Sequence, residues 1–374
     1  MFVVRRVFAS FWLAMLLTFV AAASAETNHF RADLTAAQRG DIQAQMRVAY
    51  AYESGNGAPL DSTEALHWYG KAAGLGNPDA ALRYALMLDI GEGTPRDLPK
   101  AFAWFQRAAL EGSPVAMDNL ALMYFRGEGV SRDVQDAFKW FQKASDLGLP
   151  SAQAHLANAY WDGIGTAPDR KKAMQLFRQA AKKHSPDALF SLGYAYAHGI
   201  EVEHNAAKAV KLFQEAVALG STAAMNDLGL LLESGEGLPR DVAAAQRLYA
   251  EAASLGMPAG AVNLARLLSS GAVGSPNNST ALMWLTVAAR ENEAYLSVLD
   301  EARRKLGADA SLNAEVDAEH ELQEIQQNET AAIRATFTPI RNHEAPSPVT
   351  YGLVDTCRDD VCKTLITRPD VSLH

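Results

Sequence analysis

Few side chains in this sequence stand at spacings that could carry out catalysis. His320 and Glu321 match the start of a zinc-protease motif, but no second histidine stands four residues after the first. The sequence contains neither the Ser-x-x-Lys motif of serine β-lactamases nor the Gly-x-Ser-x-Gly turn of serine hydrolases, and it contains no phosphate-binding loop. We therefore predict that the protein is not an enzyme and that it binds no cofactor.

The histidines are scattered along the chain, and one pair could share a loop. His198 and His204 stand close enough in sequence to hold a metal ion together. A pair of solvated loop side chains is the interpretation that we favour, so we predict no metal site.

The net charge of the chain argues against two classes of partner. The charge is −9, and it becomes −11 without residues 1–25, which contain Arg5 and Arg6 and no acidic residue. An acidic protein is poorly suited to general binding of nucleic acids or anionic membranes, because both carry negative charge. We predict no nucleic-acid partner.

The sequence repeats with a period of 36 residues over positions 42–293. In seven blocks aligned without gaps, position 14 is always glycine, and positions 24 and 31 are always alanine. Three invariant columns in seven ungapped blocks cannot arise from composition, so the chain is a tandem repeat array. The blocks begin at Ile42, Pro78, Pro114, Pro150, Pro186, Thr222 and Pro258.

Each block predicts two helices joined by a turn that contains glycine. A polar residue at position 36 is often followed by proline, as at Ser113 and Pro114, which is typical of a helix start. Small or apolar residues at positions 3, 7, 8 and 11 share one face of the first helix. Glycine at position 14 ends this helix, and Asp or Asn at position 20 caps the second. Because one hairpin cannot bury its apolar face alone, the blocks must stack.

The pattern of one block resembles the Sel-one-like repeat, a cousin of the tetratricopeptide repeat. The residues that carry the resemblance are Ala-x-x-x-Leu-Ala-x-x-Tyr-x-x-Gly-x-Gly-Val-x-x-Asp-x-x-x-Ala-x-x-Trp-Phe-x-Lys-Ala, from Ala116 to Ala144. The resemblance covers residues 42–293. It implies an all-α, right-handed superhelical solenoid of helix-turn-helix repeats that serves as a scaffold or adaptor. Exported bacterial relatives include periplasmic regulators of exopolysaccharide signalling and host-interaction factors.

Two features depart from the pattern of that family. The cysteine-rich branch of the family staples each repeat with a disulfide, whereas these repeats contain no cysteine. The fifth and seventh repeats have Glu201 and Val273 in place of the second loop glycine, at position 16. We expect these two loops to be remodelled.

A candidate binding surface lies on the first helix of the middle repeats. Positions 2, 5, 6, 9, 12 and 13 point away from the predicted packed face, and several middle repeats carry large aromatic residues there. Exposed aromatic residues with a few polar neighbours have the composition of a binding hot spot. Alternatively, Phe125 and Trp161 pack on the neighbouring repeat, and both interpretations stay open. The candidate residues are Leu122, Phe125, His155, Asn158, Trp161, Phe190 and Tyr194.

Residues 1–25 have the three parts of a secretory signal peptide. Arg5 and Arg6 precede an apolar run from Phe11 to Val20, and Ala23-Ser24-Ala25 forms a cleavage site. The alternative is an uncleaved membrane anchor, because residues 7–25 carry no charge. The small residues favour cleavage, which predicts a periplasmic or secreted protein that is not an integral membrane protein after cleavage.

The segments outside the repeats predict caps and a tail. Residues 26–41 end like a half repeat, and residues 294–337 predict two further helices, so we interpret both segments as caps of the array. Residues 338–374 are rich in proline, lack a helical period and predict a mostly disordered tail. Cys357 and Cys362 in this tail are either unrelated thiols or a small disulfide loop, and export favours the disulfide.

Together these patterns predict a periplasmic scaffold or regulator that binds a protein or peptide partner in the solenoid groove. One alternative is a protein that binds carbohydrate or regulates exopolysaccharide, because Trp161 and Tyr194 could stack on sugars. The other is a β-lactamase-like or cell-wall-active enzyme, which the family resemblance suggests but the residues do not support.

Overall fold

The computed structural model describes residues 29–306, 314–325 and 327. The regular secondary structure of these residues is entirely helical, and adjacent helices pack as consecutive hairpins, which confirms the prediction of an all-α repeat solenoid. The chain divides into two compact units between Trp140 and Phe141. The predicted signal peptide 1–25, the tail 338–374 and the Cys357–Cys362 loop lie outside the described residues.

The first unit contains the first two repeats and most of the third, in which even-numbered helices are the first of each repeat and odd-numbered helices the second. Its last helix continues into the second unit. The helices are α1 (29–38), α2 (Ile42–Ser54), α3 (Ser62–Gly74), α4 (Pro78–Ile90), α5 (Leu98–Leu110), α6 (Pro114–Arg126) and α7 (Val134–Asp146).

The second unit contains the last four repeats and two further helices. The same alternation of first and second helices holds through α15. The helices are α8 (Pro150–Asp162), α9 (Arg170–Ala181), α10 (Pro186–His198), α11 (Ala206–Ala218), α12 (Thr222–Ser234), α13 (Val242–Ser254), α14 (Pro258–Ser270), α15 (Asn278–Glu291), a 3-10 turn (Glu293–Tyr295), α16 (Leu296–Leu306) and α17 (314–325).

Local side-chain caps start the helices where the sequence predicts them. Ser185 accepts a hydrogen bond from the amide of Ala188 at the start of α10, and Asp169 accepts one from the amide of Lys172 at the start of α9. The Asp or Asn at position 20 accepts an amide hydrogen bond in all seven repeats. These caps satisfy amides that have no partner within the helix, so each helix begins at a defined residue.

The turn between the two helices depends on glycine for two separate reasons. Gly127 ends α6 with a φ of +75°, a left-handed conformation that is costly for residues with a side chain. Gly129, two residues later, has a φ of +68°, and a Cβ atom there would lie 2.3 Å from the carbonyl oxygen of Leu98. The second glycine therefore allows the turn to approach the start of the preceding repeat's second helix.

The two loops without the second glycine differ in how they are built. In repeat 5, Glu201 keeps the left-handed backbone with a φ of +57°, so the expected remodelling does not extend to its backbone conformation. In repeat 7, the positive φ falls one residue later, at Gly274, so this loop is altered. A side chain in the left-handed region carries strain of roughly 1–2 kcal/mol, and repeat 5 retains it.

The core of each unit is built from the invariant alanines and one large residue per repeat. All fourteen alanines at positions 24 and 31 are buried. The residue at position 28 is also buried in every repeat, as Phe177, Phe213 and Tyr249 illustrate. The residue at position 27 is more exposed in most repeats, for example Leu176. Small residues beside large rings let the helices approach closely and interdigitate.

Further helices cover both ends of the repeat array. In the first unit, Ala37 of α1 is buried, and its carbonyl oxygen accepts a hydrogen bond from the side chain of Gln45 at 3.1 Å. In the second unit, Leu299 of α16 and Ile325 of α17 join the core of the last repeat. These contacts bury apolar faces that would otherwise end the stack exposed.

Candidate functional site

A recess on the second unit lies where repeats 4 and 5 meet. It encloses about 270 Å³, a volume that includes open solvent. Three consecutive helices contribute to it: α8 and α10 are first helices, and α9 is the second helix between them. The lining residues are Asn158, Trp161, Phe177, Phe190, Ser191 and Tyr194.

Aromatic rings form most of the wall and contact one another. The ring of Trp161 meets the ring of Phe177 edge-on, with centroids 6.2 Å apart. Phe190 lies 6.3 Å from Tyr194 and 5.8 Å from Phe213. These contacts hold the rings in place, because aromatic pairs at such separations and tilts are stabilising. The recess therefore presents a fixed aromatic wall.

Two side-chain oxygen atoms of α8 are buried without a hydrogen-bond donor, and one of them belongs to the recess residue Asn158. They are Oδ1 of Asn158 and Oδ2 of Asp162, and neither has a partner among the described residues. Residues four apart share one face of a helix, so both oxygens belong to the face that also carries Trp161. Buried acceptors without a donor are rare in proteins and call for an explanation, such as a missing partner.

Two features of the surroundings of Asp162 shift the pKa of its carboxyl group in opposite directions. Burial raises the pKa of Asp162, and the positive charge of Arg170 lowers it to a smaller extent. The guanidinium of Arg170 also lies over the ring of Trp161, 5.3 Å from its centroid. Arg170 itself is exposed at the start of α9. One cation of the chain therefore already sits against the outer edge of this site.

The structure brings together four of the seven residues that the sequence nominated. Asn158, Trp161, Phe190 and Tyr194 all line the recess. His155 instead packs against Phe141, with ring centroids 5.2 Å apart. Leu122 and Phe125 belong to the first unit. The binding role of all seven residues stays a prediction.

The expectation that this stripe is exposed is wrong for four of its members. Leu122, Phe125, His155 and Phe190 are buried, with relative exposures of 7–9%. Their burial has a physical reason: a helical wheel of one repeat accounts for the partner helix of that repeat, whereas the stack adds neighbours on a second side. Phe190, for example, contacts Phe213 of its own repeat while lining the recess at the junction with the preceding repeat.

Sequence reasoning missed two residues of this site. The repeat pattern predicts Phe177 only as core, and it is buried, yet it also forms part of the wall. Ser191 stands at position 6 of its repeat, which belongs to the predicted stripe. Small polar side chains on this stripe are common throughout the array, so the sequence offered no signal that separates Ser191 from the others.

Other junctions between repeats fill the corresponding place with an ion pair. In repeat 6, Glu233 at position 12 accepts a hydrogen bond from the hydroxyl of Tyr249 at 3.2 Å. Arg266 of repeat 7 grips the same carboxylate with both terminal nitrogens, at 2.8 and 2.5 Å. This hydrogen bonding to Arg266 lowers the pKa of Glu233, against the opposing effect of burial.

A similar cluster recurs in the first unit. The hydroxyl of Tyr69 donates to Glu53 at 2.5 Å, and Arg83 of the following repeat lies 3.3 Å from the other carboxylate oxygen. Here burial is the larger effect and raises the pKa of Glu53. Position 12 of repeat 4 is Trp161, so the recess stands where two other repeats place a neutralised carboxylate.

The predicted histidine loop pair has a different arrangement from a metal site. Nε2 of His204 lies 3.0 Å from Oε1 of Glu236, an exposed contact between adjacent loops. Within residues 29–306 and 314–325, no three His, Cys, Asp or Glu side chains are grouped to hold a metal ion. In the same part of the chain, none of the helices combines the length and apolar character needed to cross a membrane.

Comparison with known proteins identifies the repeat. The model of the Sel1 repeat matches seven consecutive segments, 42–77, 78–113, 114–149, 150–185, 186–221, 222–257 and 258–293. The chain belongs to the Sel1 repeat family. Sel1 repeats commonly act as protein-interaction scaffolds and are generally non-catalytic, and this chain shares that architecture. No curated protein matches the sequence.

Solved structures of Sel1 repeat proteins are similar to this chain. A Sel1 repeat protein from Oxalobacter formigenes is 28% identical with a TM-score of 0.55, over 74% of this chain and 80% of that one. A protective antigen of uropathogenic Escherichia coli with an SLR fold is 23% identical with a TM-score of 0.44, over 86% and 84% of the two chains. An immunity protein of Pseudomonas aeruginosa is 23% identical with a TM-score of 0.44, over 60% and 83%.

Proposed function

We propose that this Sel1 repeat protein is an exported interaction scaffold that binds a protein or peptide partner at the recess between repeats 4 and 5. The observation that carries the proposal is the meeting of Asn158, Trp161, Phe190 and Tyr194 in one recess. Aromatic residues in a desolvated pocket are typical anchors of protein interfaces. The buried Oδ1 of Asn158, which has no donor among the described residues, adds a polar group to this aromatic wall.

The size of the recess argues against a small-molecule ligand. Pockets for drug-sized ligands usually have about 300–1,000 Å³ of volume. This recess is shallow, because its 270 Å³ includes open solvent. A protein partner needs no deep pocket, since its contact spreads over the surface around a few aromatic anchors.

Carbohydrate binding has less support from the geometry of the rings. Stacking on sugar requires an uncovered aromatic face, and Arg170 covers one face of Trp161. Tyr194 is in ring contact with both Phe190 and His198, at 6.3 and 4.2 Å. We therefore favour a polypeptide ligand. Capture of polysaccharide in place of a protein would instead support the carbohydrate alternative.

Photo-crosslinking from inside the recess tests the proposal. A photoreactive amino acid in place of Trp161 should capture a discrete partner in cells, and an added Tyr194→Ala change should abolish the capture. The matched control places the same photoreactive residue at Ala197, which occupies position 12 of repeat 5 as Trp161 does in repeat 4. Equal capture from both positions, or capture that persists without the tyrosine ring, would show that the partner binds elsewhere.

The location of the protein requires its own test. We propose that residues 1–25 direct export and that the mature chain starts at Glu26 in the periplasm or outside the cell. N-terminal sequencing of the protein from the periplasmic fraction should begin at Glu26, and Ala25→Leu should block cleavage, because the cleavage site needs small residues. Retention of Met1 in a cytoplasmic or membrane fraction would contradict export.

A further inference from the structure

The second helix of repeat 4 carries a concentration of positive charge that the net charge of the chain conceals. Residues 170–183 contain six cationic side chains and no acidic one, although the whole chain has a net charge of −9. All six side chains are exposed. They form the basic surface of α9, which consists of Arg170, Lys171, Lys172, Arg178, Lys182 and Lys183.

The charge of this surface is left largely without carboxylate partners. Ion pairs neutralise many cations elsewhere in the array. In the part of the chain that the structure describes, none of the six cations of α9 forms an ion pair. Lys172 instead directs Nζ to the uncharged hydroxyl of Tyr160, at 2.5 Å. Arg170 lies near enough to Asp162 to lower its pKa, so the unneutralised charge is concentrated on the other five residues.

The positions of these cations work against the stability of the helix. Three of them occupy the first turn of α9, where the aligned backbone dipoles of a helix favour negative charge. By contrast, α3 and α7 have Glu64 and Asp136 in their first turns. Arg178 and Lys182 are four residues apart, so they lie on one side of the helix and repel each other. Local folding therefore does not account for this pattern, whereas a negatively charged ligand would.

The basic surface continues onto repeat 5 through Tyr196. The hydroxyl of Tyr196 accepts a hydrogen bond from Nζ of Lys208 at 2.6 Å, and Arg178 of α9 hydrogen-bonds to the same side chain. The hydrogen bond from Lys208 is the main reason that the pKa of Tyr196 is lowered, and Arg178 contributes in the same direction. A hydroxyl that accepts from cations keeps its own O–H to donate to an outside acceptor, such as a carboxylate.

The corresponding tyrosines of repeats 1 and 3 have the opposite electrostatic surroundings. Position 11 is again tyrosine, but position 23 is Glu64 or Asp136 in place of the lysine that repeats 4 and 5 have there. The pKa values of Tyr52 and Tyr124 are raised, first by burial and then by these carboxylates. The basic character is therefore a property of repeats 4 and 5 and is not imposed by the repeat fold.

We infer that the basic surface of α9, continued by Tyr196 and Lys208, binds an acidic segment of the protein partner. The inference rests on the proposed function, because Arg170 contacts Trp161 of the recess, so a partner anchored there lies next to this surface. Helix α9 has 12 residues and is about 18 Å long, a length that an extended segment of about six residues spans. Carboxylates along a flexible chain can reach cations on several sides of one helix, whereas a flat membrane meets one side only.

Titration of the full exported protein with short labelled peptides tests the inference. The probe is rhodamine-labelled hexaglutamate amide, and the matched control is the hexaglutamine peptide, which has the same length and no side-chain charge. In fluorescence anisotropy at low salt, we expect the glutamate peptide to bind at concentrations about tenfold lower than the glutamine peptide. This preference should shrink at about 0.5 M salt, because salt screens exposed charges.

Matched charge variants locate the contact. One variant replaces three cations of α9: Lys171→Gln, Arg178→Gln and Lys182→Gln. It should weaken binding of the glutamate peptide about tenfold and leave the glutamine peptide unchanged. The control removes three exposed arginines outside α9 and should change the affinity less than about twofold; it carries Arg31→Gln, Arg39→Gln and Arg247→Gln. Thermal melting establishes that both variants are folded.

A crosslink from α9 connects this surface to the partner. A photoreactive amino acid at Gln175, which is exposed at position 26 of repeat 4, should capture the same protein as the one at Trp161. The matched control position is Arg247, which is exposed at position 26 of repeat 6. The triple variant of α9 should reduce the capture from Trp161 about tenfold. Unchanged capture in that variant would overturn the inference and leave the proposed interaction site intact.

The remaining outcomes separate this inference from the proposed function. Equal binding of the two peptides, or glutamate binding that the α9 variant retains in full, would overturn the acidic segment, while capture from Trp161 would still support the recess. Binding to phosphatidylglycerol vesicles or to polygalacturonate, lost in the α9 variant and without binding of the glutamate peptide, would replace the polypeptide by a lipid or a polysaccharide. Glutamate binding that depends on α9, without any captured protein, would support the anionic specificity and contradict the protein partner.

Discussion

Repeats 4 and 5 and repeats 6 and 7 lie in the same unit and have the same helix pattern, yet they treat buried polar groups differently. At the junction of repeats 6 and 7, Glu233, Tyr249 and Arg266 satisfy one another. At the junction of repeats 4 and 5, aromatic rings line a recess, and two acceptor oxygens lack donors. The first junction satisfies its polar groups within the chain and so contributes to stability, whereas the second leaves buried acceptors without donors among the described residues.

The inter-helix loops of repeats 5 and 6 also differ, in the residue at position 16 and in its backbone strain. Repeat 6 has Gly237 at position 16, where the turn lies against the start of α11, and a Cβ atom would lie 2.6 Å from the carbonyl carbon of Ala206. Repeat 5 has Glu201 at that position, in a left-handed conformation. One region is therefore packed closely and without strain at this position, and the other retains strain. Each difference can be tested by exchanging or removing the residue responsible.

The largest change in stability is expected when the glutamate found at position 16 of repeat 5 replaces the glycine at that position of repeat 6. Gly237→Glu combines the left-handed strain with overlap against backbone atoms, and should lower the free energy of unfolding by about 3–4 kcal/mol. The control is Gly220→Glu, since Gly220 has a φ of +85° but a Cβ atom there would meet no other atom within 4 Å. It should cost about 1 kcal/mol. Urea titration compares the two, and equal losses would show that the close approach is unimportant.

The next largest change in stability is expected from removing the ion pair between Glu233 of repeat 6 and Arg266 of repeat 7. Arg266→Met leaves the partly buried carboxylate of Glu233 without its cation and should lower the free energy of unfolding at pH 7 by about 2 kcal/mol, given its partial exposure. Arg247→Met, on the exposed face of α13, is the matched control and should be close to neutral. Thermal melting measures both changes, and similar melting of the two variants would remove the distinction between the junctions.

The pH dependence of this loss has a definite sign. Because Arg266 lowers the pKa of Glu233, the wild-type contribution is present above the ordinary glutamate pKa of about 4.3 and is lost as the pH falls through the lowered value. The difference in unfolding free energy between wild type and Arg266→Met should therefore shrink at pH 3. A difference that stays constant from pH 7 to pH 3 would contradict the charge-based explanation.

Substitution of Asp227 in repeat 6 is expected to change the stability by a smaller amount and in the opposite direction. Burial raises its pKa to about 6, and the hydrogen bond from Asn226 opposes this only in part. The native state thus binds a proton between about pH 4 and 6 that the unfolded state has released, so this group's contribution declines as the pH rises through that window. Asp227→Asn should stabilise the protein by about 1–2 kcal/mol at pH 7.5.

The same variant should show almost no gain at pH 4, where the carboxyl group is largely protonated in the native state. The measurement is a melting series from pH 4 to pH 8 for wild type and variant, with Asp317→Asn as an exposed control. A gain that does not grow between pH 4 and pH 7 would show that Asp227 is better solvated than its position beside Asn226 suggests.

The smallest effect concerns the strained loop of repeat 5. Glu201→Gly should relieve the left-handed strain, although the added freedom of glycine in the unfolded chain offsets part of the gain. The net stabilisation should be about 0.5 kcal/mol, measured by urea titration. A loss of stability would mean that Glu201 makes a favourable contact which exceeds its backbone strain.

Much of the fold could be predicted because its determinants act over short distances along the chain. Asp169 caps the helix that starts at the next residue, and Gly127 ends the helix that directly precedes it. The side chain or backbone angle of one residue decides such features, and seven aligned repeats make each pattern visible. The invariant alanines at positions 24 and 31 likewise indicated the packed face of the second helix in each repeat.

The candidate site could be predicted only in part. The sequence nominated Asn158, Trp161, Phe190 and Tyr194, because they are unusual residue types at positions outside the packed face. It did not separate them from His155, which packs on Phe141. It also assigned Phe177 to the core alone. Whether a side chain at such a position is covered depends on the neighbouring repeat, and pattern analysis within one repeat contains no information on that neighbour.

The sequence by itself determined the helices, their caps and the left-handed turns, because hydrogen bonds and backbone preferences within four or five residues decide them. Only the tertiary structure decided which polar groups find partners. Glu233 and Arg266 are 33 residues apart and meet because two repeats stack. Asn158 lies on an equivalent helix and keeps a buried oxygen without a donor. The physical reason is that satisfaction of a buried group depends on donors and acceptors delivered by separate repeats, and stacking geometry alone sets which of them come within hydrogen-bonding distance.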